Sequence, residues 1–385
     1  MKVFLLAGEA SGDKLGATLM AGLLKHMPNR PEFYGVGGPL MEQAGLKTLF
    51  PMSDISLMGI SEILSKYRFL KRRIAEAADA VIAGEADVLI TIDLPEFSLR
   101  LAKAVRRRKQ VPSVHYVAPT VWAWRPGRAQ KMAPFVDHVL ALFPFEPPYM
   151  QAAGMSCDFV GHPVVNDPCA TRGEAQRFRA ETGIDDAPMI LCLPGSRGSE
   201  IKRLAPVFAK VVEKLHAARP DLKFVLPMAA SVVTLVKDQI ATWPVKPFLI
   251  EPRSDVHAYS QKRAAFQAAD VALAASGTVA LELAATQTPM VVAYDMGFLS
   301  RQIIGRMLKV ETVSLVNLIT DSKSIPEFIA ENCREELITP SVLKVLDDPT
   351  GQIQAMQSTM QALGQNGHPP GERAAQSVIK FLAAQ

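Results

Sequence analysis

The chain lacks any run of 18 or more apolar residues, so no membrane-spanning helix is expected from its 385 residues. Cysteine is scarce: Cys157, Cys169, Cys192 and Cys333 show neither C-x-x-C spacing nor companion histidine pairs. That argues against a disulfide framework and a zinc site and fits a reducing compartment. No Asp-x-Asp pair occurs, so a metal-bridged nucleotide diphosphate is not indicated and neither a metal nor another cofactor is expected. No strand leads into G-x-G-x-x-G, since "GVGGPL" lacks the third glycine, which disfavours a nicotinamide cofactor. The charge excess is small, 42 basic against 38 acidic residues, and leaves no nucleic-acid footprint. Repeats and low-complexity tracts are missing too. The opening "MKVFLLAGEASGDK" has one Lys and an apolar stretch broken by Gly8 and Glu9, too short for an export signal.

What is present is a well-cored chain. Apolar residues make up 49% of it, and the length predicts two domains. Short β-branched runs alternate with helical periods, the pattern of parallel sheets with crossover helices. Strands are expected at 2–7, 32–36, 87–93, 112–118, 138–142 and 157–161, and again at 189–194, 223–228, 247–251, 270–275 and 289–294. The proline-bearing, aperiodic stretch 161–174 separates the two series. The expected architecture is α/β, two Rossmann-like doubly wound domains over 1–165 and 175–350 facing an interdomain cleft, with ligands at the strand ends. An amphipathic helix over 370–385 is expected to pack back on the first domain, or to pair with a second chain in a homodimer.

Several strand-to-helix turns carry polar groups. In "DVALAASGTVALELAATQTPMVVAY" the strand runs into Ser276, Gly277 and Thr278, where helix amides favour an anion. Glu282 follows one turn on, ~6 Å deeper on the same face, a spacing that suits a ribose beside a diphosphate. It is expected to be a buried carboxylate in need of a polar partner. In "LCLPGSRGSEIKRL", Gly195 and Ser196 form a second such turn, and Arg197 offers a planar fork for phosphate oxygens. Either turn can equally be a plain helix cap. Asp93 ends an apolar strand before Pro95, as a general base or as a capping Asp. The turn "GEASGDK", with Glu9 and Ser11, either meets a sugar or phosphate or caps its helix. Trp124 and Arg125 suit a sugar face with an anionic substituent, or a domain edge.

The stretch 56–77, "SLMGISEILSKYRFLKRRIAEA", sets Leu64, Tyr67 and Leu70 on an apolar helical stripe, with Phe69 beside it and Arg72 among a crowd of cations. A helix over 57–74 therefore either packs on the core with a solvated basic face or lies on an anionic membrane.

Together "LAGEASGD", "IDLPEFSLRLAK", "HYVAPTVWAWR", "LPGSRGSEI", "ASGTVALELA" and "VSLVNLI", in this order along nearly the whole chain, resemble the lipid-A-disaccharide synthase family. The resemblance implies a metal-independent, inverting glycosyltransferase of GT-B type. Its donor would be UDP-2,3-diacylglucosamine, its acceptor 2,3-diacylglucosamine 1-phosphate, and its products the β-1,6 lipid A disaccharide and UDP. It implies a peripheral enzyme at the cytoplasmic face of the bacterial inner membrane. Asp93 would deprotonate the acceptor 6-hydroxyl and Arg197 would hold the diphosphate. The S-G-T turn at Ser276, Gly277 and Thr278 would bind phosphate, Glu282 the ribose, and Asn317 the donor. This chain departs from the family pattern at Pro95-Glu96-Phe97-Ser98, where P-D-F-N is usual, and at "SLVNL", where S-L-P-N-L is usual. The residues alone leave open a UDP-N-acetylglucosamine epimerase, a peptidoglycan-precursor glycosyltransferase, or a non-enzymatic nucleotide-binding protein of the membrane surface.

Overall fold

The computed structural model describes residues 1–56, 67–122, 127–252, 256–296 and 312–385, with backbone only for 256–259. The chain forms two compact units, Met1–Asn166 with Leu363–Gln385, and Asp167–Ala362.

Strands of the first unit are β1 (Lys2–Ala7), β2 (Glu32–Val36), β3 (Lys47–Thr48), β4 (Val88–Ile92), β5 (Ser113–Tyr116), β6 (His138–Ala141) and β7 (Ser156–Phe159). They form one sheet in the order β3-β2-β1-β4-β5-β6-β7, and every pairing is parallel. Each residue of β4 is buried. The sequence VLITI accordingly reads as a continuous apolar run broken by one Thr, because helices cover both faces of a parallel sheet. Phe4, Leu6, Leu89 and Val139 share a core with Leu101 and Val105 of the helix Pro95–Arg106.

The second unit holds β8 (Met189–Leu193), β9 (Lys223–Pro227), β10 (Phe248–Ile250), β11 (Val271–Ala275), β12 (Met290–Tyr294) and β13 (Glu327–Ile329), ordered β10-β9-β8-β11-β12-β13 and again wholly parallel. The helix Gly198–Ala218 buries Leu204, Phe208, Val211, Val212 and Leu215, an i, i+4, i+7 stripe against Ile190, Leu273 and Val291. In each sheet the winding reverses once, between β1 and β4 and between β8 and β11. At such switch points the βα turns diverge and leave a crevice beyond the carboxyl ends of the strands.

The two strands absent from the sequence reading are β3 and β13. Both lie at a sheet edge, are two and three residues long, and lack a buried face that would impose a pattern.

The last helix, Pro370–Ala383, lies against Ala10–His26 of the same chain. Glycines allow the close approach: a Cβ on Gly22 would stand 2.7 Å from the Gly371 carbonyl oxygen, and one on Gly371 2.7 Å from that of Thr18. Polar contacts fix the helix at its first turn and its middle. Lys25 pairs with Glu372 at 2.7 Å, and Arg373 donates to the Phe159 carbonyl at 2.9 Å. Further along, Ser377 donates to Asp158 at 2.7 Å and meets the His138 ring at 2.7 Å.

Candidate functional site

The first unit's switch point is built on strained backbone. Ala7 of β1 is paired with Ile92 of β4, so Gly8 and Asp93 leave the sheet side by side. Asp93 and Leu94 both adopt left-handed conformations (φ 51° and 48°), and Val117, just past β5, has φ 81°. A β-branched residue in that region is an outlier, and such outliers persist where the surroundings over-determine them, commonly at functional sites. Here the Asp93 amide donates to the Tyr116 carbonyl at 2.9 Å, and Ser98 Oγ donates to the Asp93 carbonyl at 2.7 Å. Pro95 then starts the helix with its φ already set. Leu94 folds over Gly8, where a Cβ would stand 2.4 Å from Leu94 Cδ2, so a side chain there would have to push the Leu94 side chain aside. Burial pushes the Asp93 carboxyl above its ordinary range, with the Leu94 amide opposing in part. Asp93 is not the side-chain cap of the helix; the N-cap position is Leu94.

Of the acceptor-side candidates, Glu9 is the N-cap residue of Ala10–His26 and Ser11 is exposed on its first turn. The carboxylate of the same motif that is used up structurally is Asp13. It accepts from the amides of Gly38, Leu40 and Met41 at 2.9 to 3.0 Å and so anchors the β2 turn. Trp124 and Arg125 lie outside the described residues, as do Leu64 and the rest of 57–66. The helix that contains Tyr67, Phe69, Leu70 and Arg72 runs through Tyr67–Ala83 and turns Ala77, Ala78 and Val81 to the core. Tyr67 is 51% exposed. Phe69 lies under the guanidinium groups of Arg72 and Arg73, and Arg73 is tied to Asp54 and Glu76.

Behind this end of the sheet lie two perturbed groups that the sequence did not single out. Glu146 accepts from the amides of Leu142 and Phe143 and from the Trp122 indole, yet burial lifts its carboxyl to about 7. His115, bonded to Thr91 at 2.8 Å, is held neutral: burial, with the nearby Arg128 charge, lowers it to about 4.

In the second unit, β8 and β11 are paired through Leu193 and Ala274, which brings their two turns to one cavity of about 400 Å³. Gly195, Ser196 and Arg197 border it from one side, Ser276, Gly277, Thr278 and Glu282 from the other, and Met228 and Phe266 supply apolar wall. Gly195 (φ 117°) and Gly277 (φ 153°) hold backbone angles that side chains rarely adopt. The Arg197 side chain is 76% exposed and meets Glu200 Oε1 at 3.1 Å. Ser276 Oγ donates to the Val313 carbonyl at 3.1 Å.

One expectation needs correction here. Glu282 is not buried: it is 42% exposed and pairs with Lys262 at 2.8 Å, because the helix Val279–Ala285 is short and its first turn borders the open cavity. Asn317 borders a second cavity, together with Thr312, Asp321 and Lys323. Its amide nitrogen donates to the Ile325 carbonyl at 2.8 Å and to Glu327 at 3.3 Å, and its oxygen accepts the Ile325 amide at 2.9 Å, so the side chain staples the 317–325 loop. Lys262, Glu200 and Phe266 belong to the cavity but were not singled out. Glu200 stands inside a quoted motif; Lys262 and Phe266 reach the cavity only through the tertiary packing of their helix.

Parallel doubly wound sheets in two units, each with polar glycine turns or strained backbone at its switch point, are the architecture of the GT-B fold. The fold is shared with UDP-GlcNAc 2-epimerase from Neisseria meningitidis bound to UDP-GlcNAc (TM-score 0.66, 13% identity, all of both chains). It is shared too with S. aureus MnaA in a UDP co-structure (0.66, 15%, 99% of this chain and 95% of that one) and with Acinetobacter baumannii MurG (0.55, 14%, 100% and 99%). The family model of lipid-A-disaccharide synthetase matches residues 3–380. The lipid-A-disaccharide synthase of Ruegeria pomeroyi is 53% identical over 384 residues, covering 99% of this chain and 96% of that one; that of Rhodospirillum centenum is 43% identical over 385 residues, covering 99% and 94%. The chain belongs to the lipid-A-disaccharide synthase family, and is a glycosyltransferase of lipid A biosynthesis. Among the described residues no helix is long and apolar enough to cross a membrane.

Proposed function

We propose that the chain transfers the 2,3-diacylglucosaminyl group of UDP-2,3-diacylglucosamine to the 6-hydroxyl of 2,3-diacylglucosamine 1-phosphate, with inversion at the anomeric carbon. The supporting observation is the convergence of two glycine turns, Arg197 and Lys262 on one cavity at the β8/β11 switch point. Backbone amides and cations suit a diphosphate, the apolar wall of Met228 and Phe266 suits a base, and Glu282 one turn beyond Thr278 suits a ribose. The fold relatives named with bound UDP-GlcNAc or UDP agree with a nucleotide sugar as ligand class.

The chemistry asks for a base on the acceptor and stabilisation of the leaving group. Asp93 takes the acceptor proton as the hydroxyl oxygen bonds to the anomeric carbon; the bond from that carbon to the diphosphate oxygen breaks, and UDP departs with the electron pair. Attack opposite the leaving group inverts the centre. A partly desolvated carboxylate is a stronger base than one in water, which is what burial does to Asp93. Arg197 and the turn amides meet the charge that develops on UDP, so we propose transfer without a metal. The acyl chains of both substrates call for a lipid surface. We place the enzyme at the cytoplasmic face of the inner membrane, with Tyr67 and Arg72 toward anionic lipid.

The test is to supply donor and acceptor in detergent with EDTA and follow UDP and the disaccharide by mass and linkage. Acceptor-dependent UDP with a β-1,6 product supports the reading. Acceptor-independent UDP release, or no turnover by folded protein that binds UDP, overturns it.

A further inference from the structure

The cavity already contains an anion of the chain's own. Glu200 lies in the first turn of Gly198–Ala218, but its carboxylate bends back over the preceding loop. Oε2 accepts the amides of Ser196 at 3.0 Å and Arg197 at 3.2 Å, and Oε1 accepts Arg197 Nη1 at 3.1 Å. The side chain is only 12% exposed although it borders the cavity. The loop is shaped around it. A Cβ on Gly195 would stand 2.5 Å from Glu200 Oε2, so the close fit of carboxylate to loop requires glycine there.

These are the donors a diphosphate would use: two convergent backbone amides and a guanidinium beside a helix N-terminus. Two anions cannot hold the same amides. We propose that Glu200 acts as an internal stand-in for the donor's diphosphate, so that binding a nucleoside diphosphate is an exchange in which the Glu200 carboxylate leaves the Ser196 and Arg197 amides and returns when UDP departs. The proposal rests on the reading that this cavity takes UDP. It assigns Glu200 as a positioning residue: it keeps the loop in its binding shape while empty and, by reclaiming the amides, hastens release of the product.

The consequence is opposite to that of an ordinary loop support. Removing the competing carboxylate should tighten diphosphate ligands selectively, because an internal hydrogen-bonded anion no longer has to be displaced. Uridine, which lacks phosphate, serves as the internal control.

The experiment measures binding of UDP and of uridine by calorimetry, and UDP dissociation by stopped flow, for wild type, Glu200→Gln and Glu200→Asp, with thermal unfolding alongside. Glu200→Asp keeps the charge but is one methylene too short to cap the loop in the same way. The expected result is a UDP affinity raised roughly three- to tenfold and a slower UDP off-rate in both variants, with uridine affinity unchanged. Tighter UDP in Glu200→Gln alone would mean a general charge effect and overturn the exchange. Weaker or unchanged UDP in both folded variants would make Glu200 a plain loop support and overturn it as well. If folded wild type binds neither UDP nor uridine, it is the reading of the cavity itself that fails.

Discussion

The Glu282 carboxylate and the Lys262 ammonium lie 2.8 Å apart on facing helices at the rim of the cavity between the β8 and β11 turns. Both side chains are about two-fifths exposed, so the pair contributes little to folding, ~0–1 kcal/mol once screening by solvent is counted. Its significance is orientation, since Lys262 holds the carboxylate beside the space assigned to the ribose. Glu282→Gln is expected to leave thermal stability nearly unchanged. Wild type is expected to prefer UDP over 2′-deoxy-UDP by ~1.5–3 kcal/mol, the scale of a hydrogen bond to a charged group, and the variant to lose at least half of that preference. Calorimetric titration of both nucleotides checks this; a preference kept by the variant would remove Glu282 from the ribose site.

The pH dependence of folding has an identifiable source in Glu146. Its carboxyl is raised from the model-compound value of 4.5 to about 7 by burial, so between those limits the folded state binds more protons than the unfolded state. Stability therefore falls as pH rises from 4.5 through 7, by ~3 kcal/mol as an upper figure from this group. His115 acts in the opposite direction. Its folded value is depressed to about 4, so its contribution is complete above 6.5 and is lost as pH falls toward 4. Urea unfolding of wild type and Glu146→Gln at pH 5, 6, 7 and 8 is expected to give diverging profiles: the two contributions offset each other in wild type, whereas the variant, left with His115 alone, gains stability as pH rises from 5 to 7. Parallel profiles would contradict the assignment.

The packing of the last helix depends on backbone contact. A side chain on Gly371 would meet the Thr18 carbonyl oxygen at 2.7 Å, and backbone cannot yield as a flexible side chain can. Gly371→Val should destabilise the protein by ~1–3 kcal/mol through overpacking, whereas Gly351→Ala, where no atom lies within 4 Å of the added Cβ, should change little. Equal unfolding midpoints for the two variants would show that the helix is not held as described.

Most of this architecture was legible because parallel strands are buried on both faces. Segments such as KVFLLA and VLITI are almost wholly apolar, broken only by Lys2 and Thr91, and the turns that follow them carry polar residues. Two of the four edge strands escaped, Lys47–Thr48 and Glu327–Ile329, because they are only two and three residues long and bury no full face. Site chemistry was readable only where it lay in a turn next to a strand. Gly195 to Arg197 and Ser276 to Thr278 were visible in that way; Lys262 was not, because it reaches the cavity from mid-helix, and nothing local to it marks the approach. The left-handed Asp93 and Leu94 are held by the Tyr116 carbonyl and by Ser98 together, a combination of local and tertiary contacts that spacing cannot express. The bonds of Asn317 to Ile325 were hidden for the same reason, since a motif does not show which of its polar groups also hold their own loop.

Along the helix Tyr67–Ala83, exposure separates two kinds of residue. Tyr67 is open to solvent, while Arg73 is bound by Asp54 and Glu76 and lies over Phe50. Tyr67→Ser with Arg72→Glu should reduce association with anionic vesicles about tenfold at low salt, with less effect at 0.5 M salt and no loss of thermal stability. Sedimentation of the protein with vesicles of defined composition reads this out. Unchanged binding would assign the helix to core packing with a solvated basic face.

The central claim is that Asp93 is the base in an acceptor-dependent transfer. Its most direct test is single-turnover UDP release by wild type and Asp93→Asn in EDTA, with UDP affinity measured on the same samples. The account predicts that the rate falls at least ~100-fold while UDP affinity stays within about twofold, and that the acid limb of the wild-type pH profile lies above the usual aspartate range. A variant that turns over at the wild-type rate, or that loses UDP affinity in step with rate, would contradict it.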